Sequence, residues 1–242
     1  MLPANVHWFD LAALAAFVAC WIGYPHVIER LGKRPSINRL MHPLRRIWMA
    51  RMLERDLRIP DTQILGFAFQ SASFFASTTI IVIAALVSAF GALDRVHPTL
   101  SEISLIKAAS IQLMQYKLLV VVVVVFFYAL LAFTWALRQY NYLAAIIGAA
   151  PQAPVPEVEA RAIAEALGRL MSSAVASVNA GMRAYYFAIA ALLWFVHPLL
   201  FLGGTLCIVG MLAHRQSYSP AARAVLALAA LCDRPPTPKD QT

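Results

Sequence analysis

Four stretches of this chain are each apolar over the length needed to cross a lipid bilayer, and nothing else in it restricts the fold as strongly. A helical crossing takes about 20 mostly apolar residues. Trp8 to Val27, Ser71 to Leu93 (SASFFASTTIIVIAALVSAFGAL), Lys117 to Leu137 (KLLVVVVVVFFYALLAFTWAL) and Tyr185 to Ala213 (YYFAIAALLWFVHPLLFLGGTLCIVGMLA) all meet that length. A soluble domain can bury one such helix, but not four in 242 residues. Only 13% of the chain is charged, against about a quarter in soluble domains, and the mean hydropathy is +0.68. The expected fold is therefore an all-α membrane protein: a four-helix transmembrane bundle with one or two amphipathic cytoplasmic helices. Its membrane domain covers residues 1–218, with cytoplasmic loops at 29–63 and 138–184. A Pro-rich tail, 219–242, holds a possible short interfacial helix in SPAARAVLALAALC.

The basic residues orient that bundle. Residues 29–63 carry nine Lys and Arg against four acids, and Arg138, Arg161, Arg169 and Arg183 follow the third stretch. Basic loops stay cytoplasmic, so the N-terminus, the segment DRVHPTLSEIS and the C-terminal tail are expected on the outer, periplasmic face. The split is thirteen against seven. The first stretch lacks the positively charged leader of a secretory signal and reads as a retained span. Net charge +8 and a pI near 9.8 need no nucleic acid to explain them, and no nucleic-acid module is present.

Within HPLRRIWMARMLERDLRIPDTQ, Leu40, Leu44, Ile47 and Trp48 share a helical face and Pro43 suits a first turn. This predicts a surface helix whose Arg45, Arg46 and Arg51 meet the anionic inner leaflet, where each basic residue contributes about 1 kcal/mol. A solvated loop is the alternative. A second amphipathic helix is expected from Glu157 to Asn179, with Ile163, Leu167, Leu170, Ala174 and Val178 on one face and Arg161, Glu165, Arg169 and Ser172 on the other.

Around these stretches a family resemblance is visible. RPSINRLMHPLRRIWMARMLERDLRIPDTQILGFAFQSASFFASTTI, FTWALRQYNYLAAIIGAAP and NAGMRAYYFAIAALLWFVHPLLF resemble the three signature blocks of a domain family of unknown function numbered 599, over residues 8–215. The resemblance implies a four-span protein of mostly bacterial occurrence, hence the bacterial cytoplasmic membrane. It implies no activity.

Polar residues inside membrane helices must face protein or water. Gln63, Gly66, Gln70, Ser73 and Ser77 follow helical spacing on the second stretch, as do Arg138 and Asn141 after the third and Asn179, Arg183 and Tyr186 before the fourth. Together with Asp61 they predict a polar cytoplasmic vestibule. The alternative is close packing of small residues with cross-helix hydrogen bonds. Asp61 is expected either to pair with Arg138 or Arg183, closing that end, or simply to cap its helix. Asp10 and His197 form a candidate outer polar pair, with Pro198 expected to kink the helix. No metal spacing or nucleophile motif occurs, and Cys20, Cys207 and Cys232 form no disulfide framework. No catalytic residue, cofactor or metal is expected. The favoured function is a small oligomeric channel or transporter for anions. The alternative is a non-catalytic accessory or scaffold subunit of a membrane complex, with a lipid-acting enzyme third. Partners are expected to be anionic lipids and either further copies or a membrane-complex subunit.

Overall fold

The computed structural model describes residues 8–31, 35–101 and 111–232. Among them every element is helical: α1 (Trp8–Leu31), α2 (Ile37–Leu53), α3 (Ile59–Ser101), α4 (Ile111–Val120), α5 (Phe127–Ala149), α6 (Glu157–Leu192), α7 (Pro198–Ser217) and α8 (Pro220–Cys232). A π-helical stretch, Val121–Phe126, fuses α4 and α5 into one rod. It falls in the valine run, where branched side chains fit a regular α-helix least well.

Local chemistry sets the boundaries. Ser36 caps α2, its hydroxyl accepting from the Arg39 N–H at 3.4 Å. Pro43 therefore lies in the second turn of α2 rather than the first. Glu157 and Glu159 sit in the first turn of α6, where carboxylates favour the positive end of the helix dipole. At the other end of α6 the chain turns through a 3-10 segment, Leu193–Phe195. His197, in extended conformation, then caps α7, its Nδ1 accepting from the Leu199 N–H at 3.1 Å, with Pro198 opening the helix.

That turn corrects the reading of the fourth stretch. Tyr185 to Ala213 is not one kinked helix but the end of α6 and most of α7. The two run antiparallel: Arg215 near the end of α7 donates to the Tyr186 hydroxyl at 3.0 Å, while a Cβ on Gly204 would meet Leu193. Among the described residues, four helical stretches are long and apolar enough to cross a membrane: Trp8–Val27, Ile59–Ala92, Gln112–Ala149 and Pro198–Ala229, the last running through α7 and into α8.

Two cores stack along the bundle. The first joins Phe17, Trp21 and Tyr24 of α1, Ala76 of α3, Val121 and Val125 of the π stretch, Ala129 and Phe133 of α5, Ala184, Phe187 and Ala191 of α6, and Phe201 and Leu212 of α7. Its rings interlock, with Phe17 and Phe201 centroids 5.0 Å apart and Trp194 stacked on Phe201 at 5.2 Å. The last third of α6 packs into this layer through Ala184, Phe187, Ala188 and Ala191 and leaves Ile189 and Leu192 exposed on its other side. The second core joins Met49, Met52 and Leu53 of α2, Leu65 and Ala72 of α3, Tyr140, Leu143 and Ile147 of α5, and Ala164, Leu167, Met171 and Ala174 of α6.

α2 docks antiparallel on α6, as three contacts fix: Asn179 to Asn38 at 2.9 Å, Arg45 to Ser172 at 3.2 Å, and Gly168 beneath Arg46. A Cβ on Gly168 would fall 3.1 Å from the Arg46 Cα, so glycine is what allows the close crossing. The buried face of α2 is thus Arg45, Met49, Met52 and Leu53, one step round from the expected one. Ser172, expected on the polar face of α6, is buried. α8 follows a short turn after α7 and packs on α2. The described C-terminal helix therefore lies at the α2 end, opposite Asp10.

Candidate functional site

At the α2 end, the start of α3 is tied to the loop before it. Asp61 is 1% exposed. Its Oδ1 accepts from the Trp48 indole N–H at 2.7 Å and from the Arg55 guanidinium at 2.6 Å, and its Oδ2 is buried without a hydrogen-bond partner. This corrects the expected pairing: the cation comes from Arg55 in the adjacent loop, and neither Arg138 nor Arg183 reaches the free carboxylate oxygen. Arg58 extends the junction to α5, donating to the carbonyls of Ile147 at 3.1 Å and Ala150 at 2.8 Å and to that of Pro151. The last carbonyls of a helix lack internal donors, so Arg58 serves as the C-terminal cap of α5. Sequence reasoning missed both Arg55 and Arg58, though their spacing just before a helix start was the available signal.

At the opposite end the outer pair is also corrected. Asp10 pairs with Lys117 at 3.2 Å and accepts from the Trp194 indole at 2.8 Å. Lys117 donates to the Trp194 carbonyl at 2.9 Å and lies 5.3 Å from that ring's centroid. All three are buried. His197 is exposed and caps α7 instead. The triad joins α1, α4 and the α6–α7 turn, and satisfying each charge twice is what lets an ion pair persist out of water.

The expected vestibule does not form within one chain. α3 packs through Asp61, Leu65, Ala72, Ala76 and Thr79, which turns Gln63, Gln70 and Ser77 outward and leaves Ser73 half-buried. Arg138 and Asn141 are exposed on α5. Asn179 is committed to Asn38, Tyr186 accepts from Arg215, and half-buried Arg183 lies within electrostatic reach of Tyr24. Gln139, which the sequence did not single out, does face inward: it is 3% exposed and donates to the Ser177 hydroxyl at 3.0 Å. A groove along α1, lined by Leu11, Leu14, Val18 and Ile22, is apolar.

Of the three arginines assigned to a lipid surface, Arg46 and Arg51 are exposed, and Arg45 is corrected: it is buried between α2 and α6. Burial pushes its guanidinium down from the ordinary arginine value, with Tyr140 beside it pulling the other way, yet arginine stays charged throughout the accessible pH range. Among the described residues no group of three His, Cys, Asp or Glu side chains could hold a metal ion. The arrangement can bind helix to helix, and no nucleophile stands beside a base in the contacts above.

No curated protein and no solved structure matches the chain. It does match, over residues 12–221, the family described as Protein of unknown function, DUF599. Because that match covers most of its length, the chain belongs to the DUF599 family.

Proposed function

We propose that this protein crosses the bacterial cytoplasmic membrane five times, with α2, the first half of α6 and α8 on the cytoplasmic side, and serves as a non-catalytic accessory or scaffold subunit of a membrane complex. The crossings are α1, α3, the α4–α5 rod, the end of α6, and α7. α7 has 20 residues, which at 1.5 Å per residue is about 30 Å, the thickness of the hydrocarbon layer. Charge supports the orientation. With the α6–α7 turn outside, thirteen of the fifteen Lys and Arg among the described residues fall on the α2 side, leaving Arg95 and Lys117 on the other. That asymmetry is far steeper than the thirteen against seven of a four-span reading, as the positive-inside rule favours.

One observation carries the scaffold reading. The interior is filled by aromatic and aliphatic side chains, while Gln63, Gln70, Ser77, Arg138 and Asn141 point away from it. An anion path through a single chain has no lining, whereas an outward polar face suits another polypeptide. A second reading, a channel formed between copies, is favoured by the same exposed residues on neighbouring helices α3 and α5.

Flux in proteoliposomes separates the two. The purified protein, reconstituted in chloride-loaded vesicles, is expected to leave the leak rate at that of protein-free vesicles. Chloride flux that Arg138→Gln abolishes would overturn the scaffold reading in favour of a channel between copies.

A further inference from the structure

α8 is apolar almost all the way round: Arg223 is its only charge in PAARAVLALAALC. It is a properly started helix, with the Ser219 hydroxyl accepting from the Ala222 N–H at 3.1 Å. Yet it is barely buried. It rests on α2, with Ala222 4% exposed, and leaves Leu226 at 47% and Leu228 at 54%. A helix that is hydrophobic on every side belongs in lipid or in a protein interior, not in water.

Its position narrows the choice. α7 ends at Ser217 and α8 begins at Pro220, so α8 starts where α7 leaves the apolar layer. A chain that has crossed the layer once and turns within three residues stays at its edge. The surroundings are cationic: Arg215 ends α7, α8 carries Arg223, and the α2 against which it packs exposes Arg46 and Arg51, with no acidic residue in α2, α7 or α8. Apolar side chains flanked by arginines that can reach back to phosphates are the pattern of an in-plane interfacial helix on an anionic leaflet. A soluble partner would leave that positive surface without a counterpart.

We infer that α8 is an in-plane membrane anchor: it lies in the headgroup–acyl boundary of the anionic inner leaflet, with Leu226 and Leu228 in lipid and Arg215 and Arg223 at phosphate level, and holds α2 against the membrane. This rests on the reading of the first core as the membrane layer, and the test below keeps the two apart. The role given to Arg45, Arg46 and Arg51 in sequence passes largely to α8, with α2 riding on it.

Spin labels on the full-length protein test the inference. Single cysteines replace Leu228, Ile81 or Val158 in a background with Cys20, Cys207 and Cys232 changed to Ala, and the labelled protein is reconstituted in phosphatidylethanolamine–phosphatidylglycerol vesicles. Collision with oxygen reports lipid, and collision with a water-soluble nickel chelate reports water. Val158, on the first turn of α6, is the aqueous reference, and Ile81, exposed on α3, is the lipid reference. The expected result at 228 is an oxygen-to-nickel ratio several-fold above that at 158 and below that at 81. Free access of nickel to 228 would overturn the inference, and protection from both reagents would overturn it too by placing a protein over α8. If 81 itself reports water, the membrane reading fails first. A Leu226→Cys label repeats the measurement should the 228 variant not fold.

Discussion

Lys117 is the residue whose loss tests the energetics most sharply. It is 4% exposed, as is its partner Asp10, so solvent does not screen the pair. Lys117→Met keeps most of the apolar stem and volume, which keeps the cavity contribution small. What it removes is the ammonium that Asp10 and the Trp194 carbonyl share. Breaking a buried ion pair on one side costs about 3–5 kcal/mol, because the remaining charge stays buried without a partner. Asp10→Asn keeps an oxygen for the Trp194 indole but strands the lysine, and its cost falls in the same range. The double variant holds no buried charge, so its loss is expected to be smaller than the sum of the two by at least about 2 kcal/mol. Unfolding in mixed detergent micelles, followed by far-ultraviolet circular dichroism, supplies the four free energies. Losses that add to within about 0.5 kcal/mol would show that the residues do not act as a pair.

Four further outcomes concern the α2 end. Asp61→Asn and Arg55→Gln are expected to couple by about 1 kcal/mol or less, since Arg55 is 44% exposed and partly screened. Asp61→Asn with Arg138→Gln should be additive in the same unfolding assay, and coupling there would restore the pairing read from sequence. Gly168→Ala places a Cβ against the backbone of Arg46 and is expected to destabilise by about 1–3 kcal/mol. Gly148→Ala, with open space around it, should leave the melting temperature unchanged or raise it.

The first three apolar stretches were legible because length and composition alone define a helix that cannot rest in water. The start of α6 at Glu157 was legible for the same kind of reason, as its period is strong. The α6–α7 turn was not, although the sequence held its signal. A polar residue followed by proline marks the opening of a new helix, and 29 apolar residues exceed one crossing. Weighing Pro198 as a kink hid the extra turn, and with it the side on which α8 lies. The vestibule failed through rotation by a single residue. On α3 the small residues Ala72 and Ala76 pack, and Ser73 and Ser77, one position on, turn about 100° away. Small side chains fit either face, so spacing alone could not choose. Asp61, Arg55 and Trp48 converge through a loop whose path only the fold determines.

α8 and the end of α2 are expected on the cytoplasmic face, and the far end of α3 on the outer face. Single cysteines at Ser219, Arg51 and Val96, in a background lacking the native three, can be labelled in intact cells and in inverted vesicles with a membrane-impermeant maleimide. Positions 219 and 51 are expected to react only in inverted vesicles and 96 only in intact cells. Labelling of 219 from outside together with 96 would contradict five crossings and return α8 to the outer face.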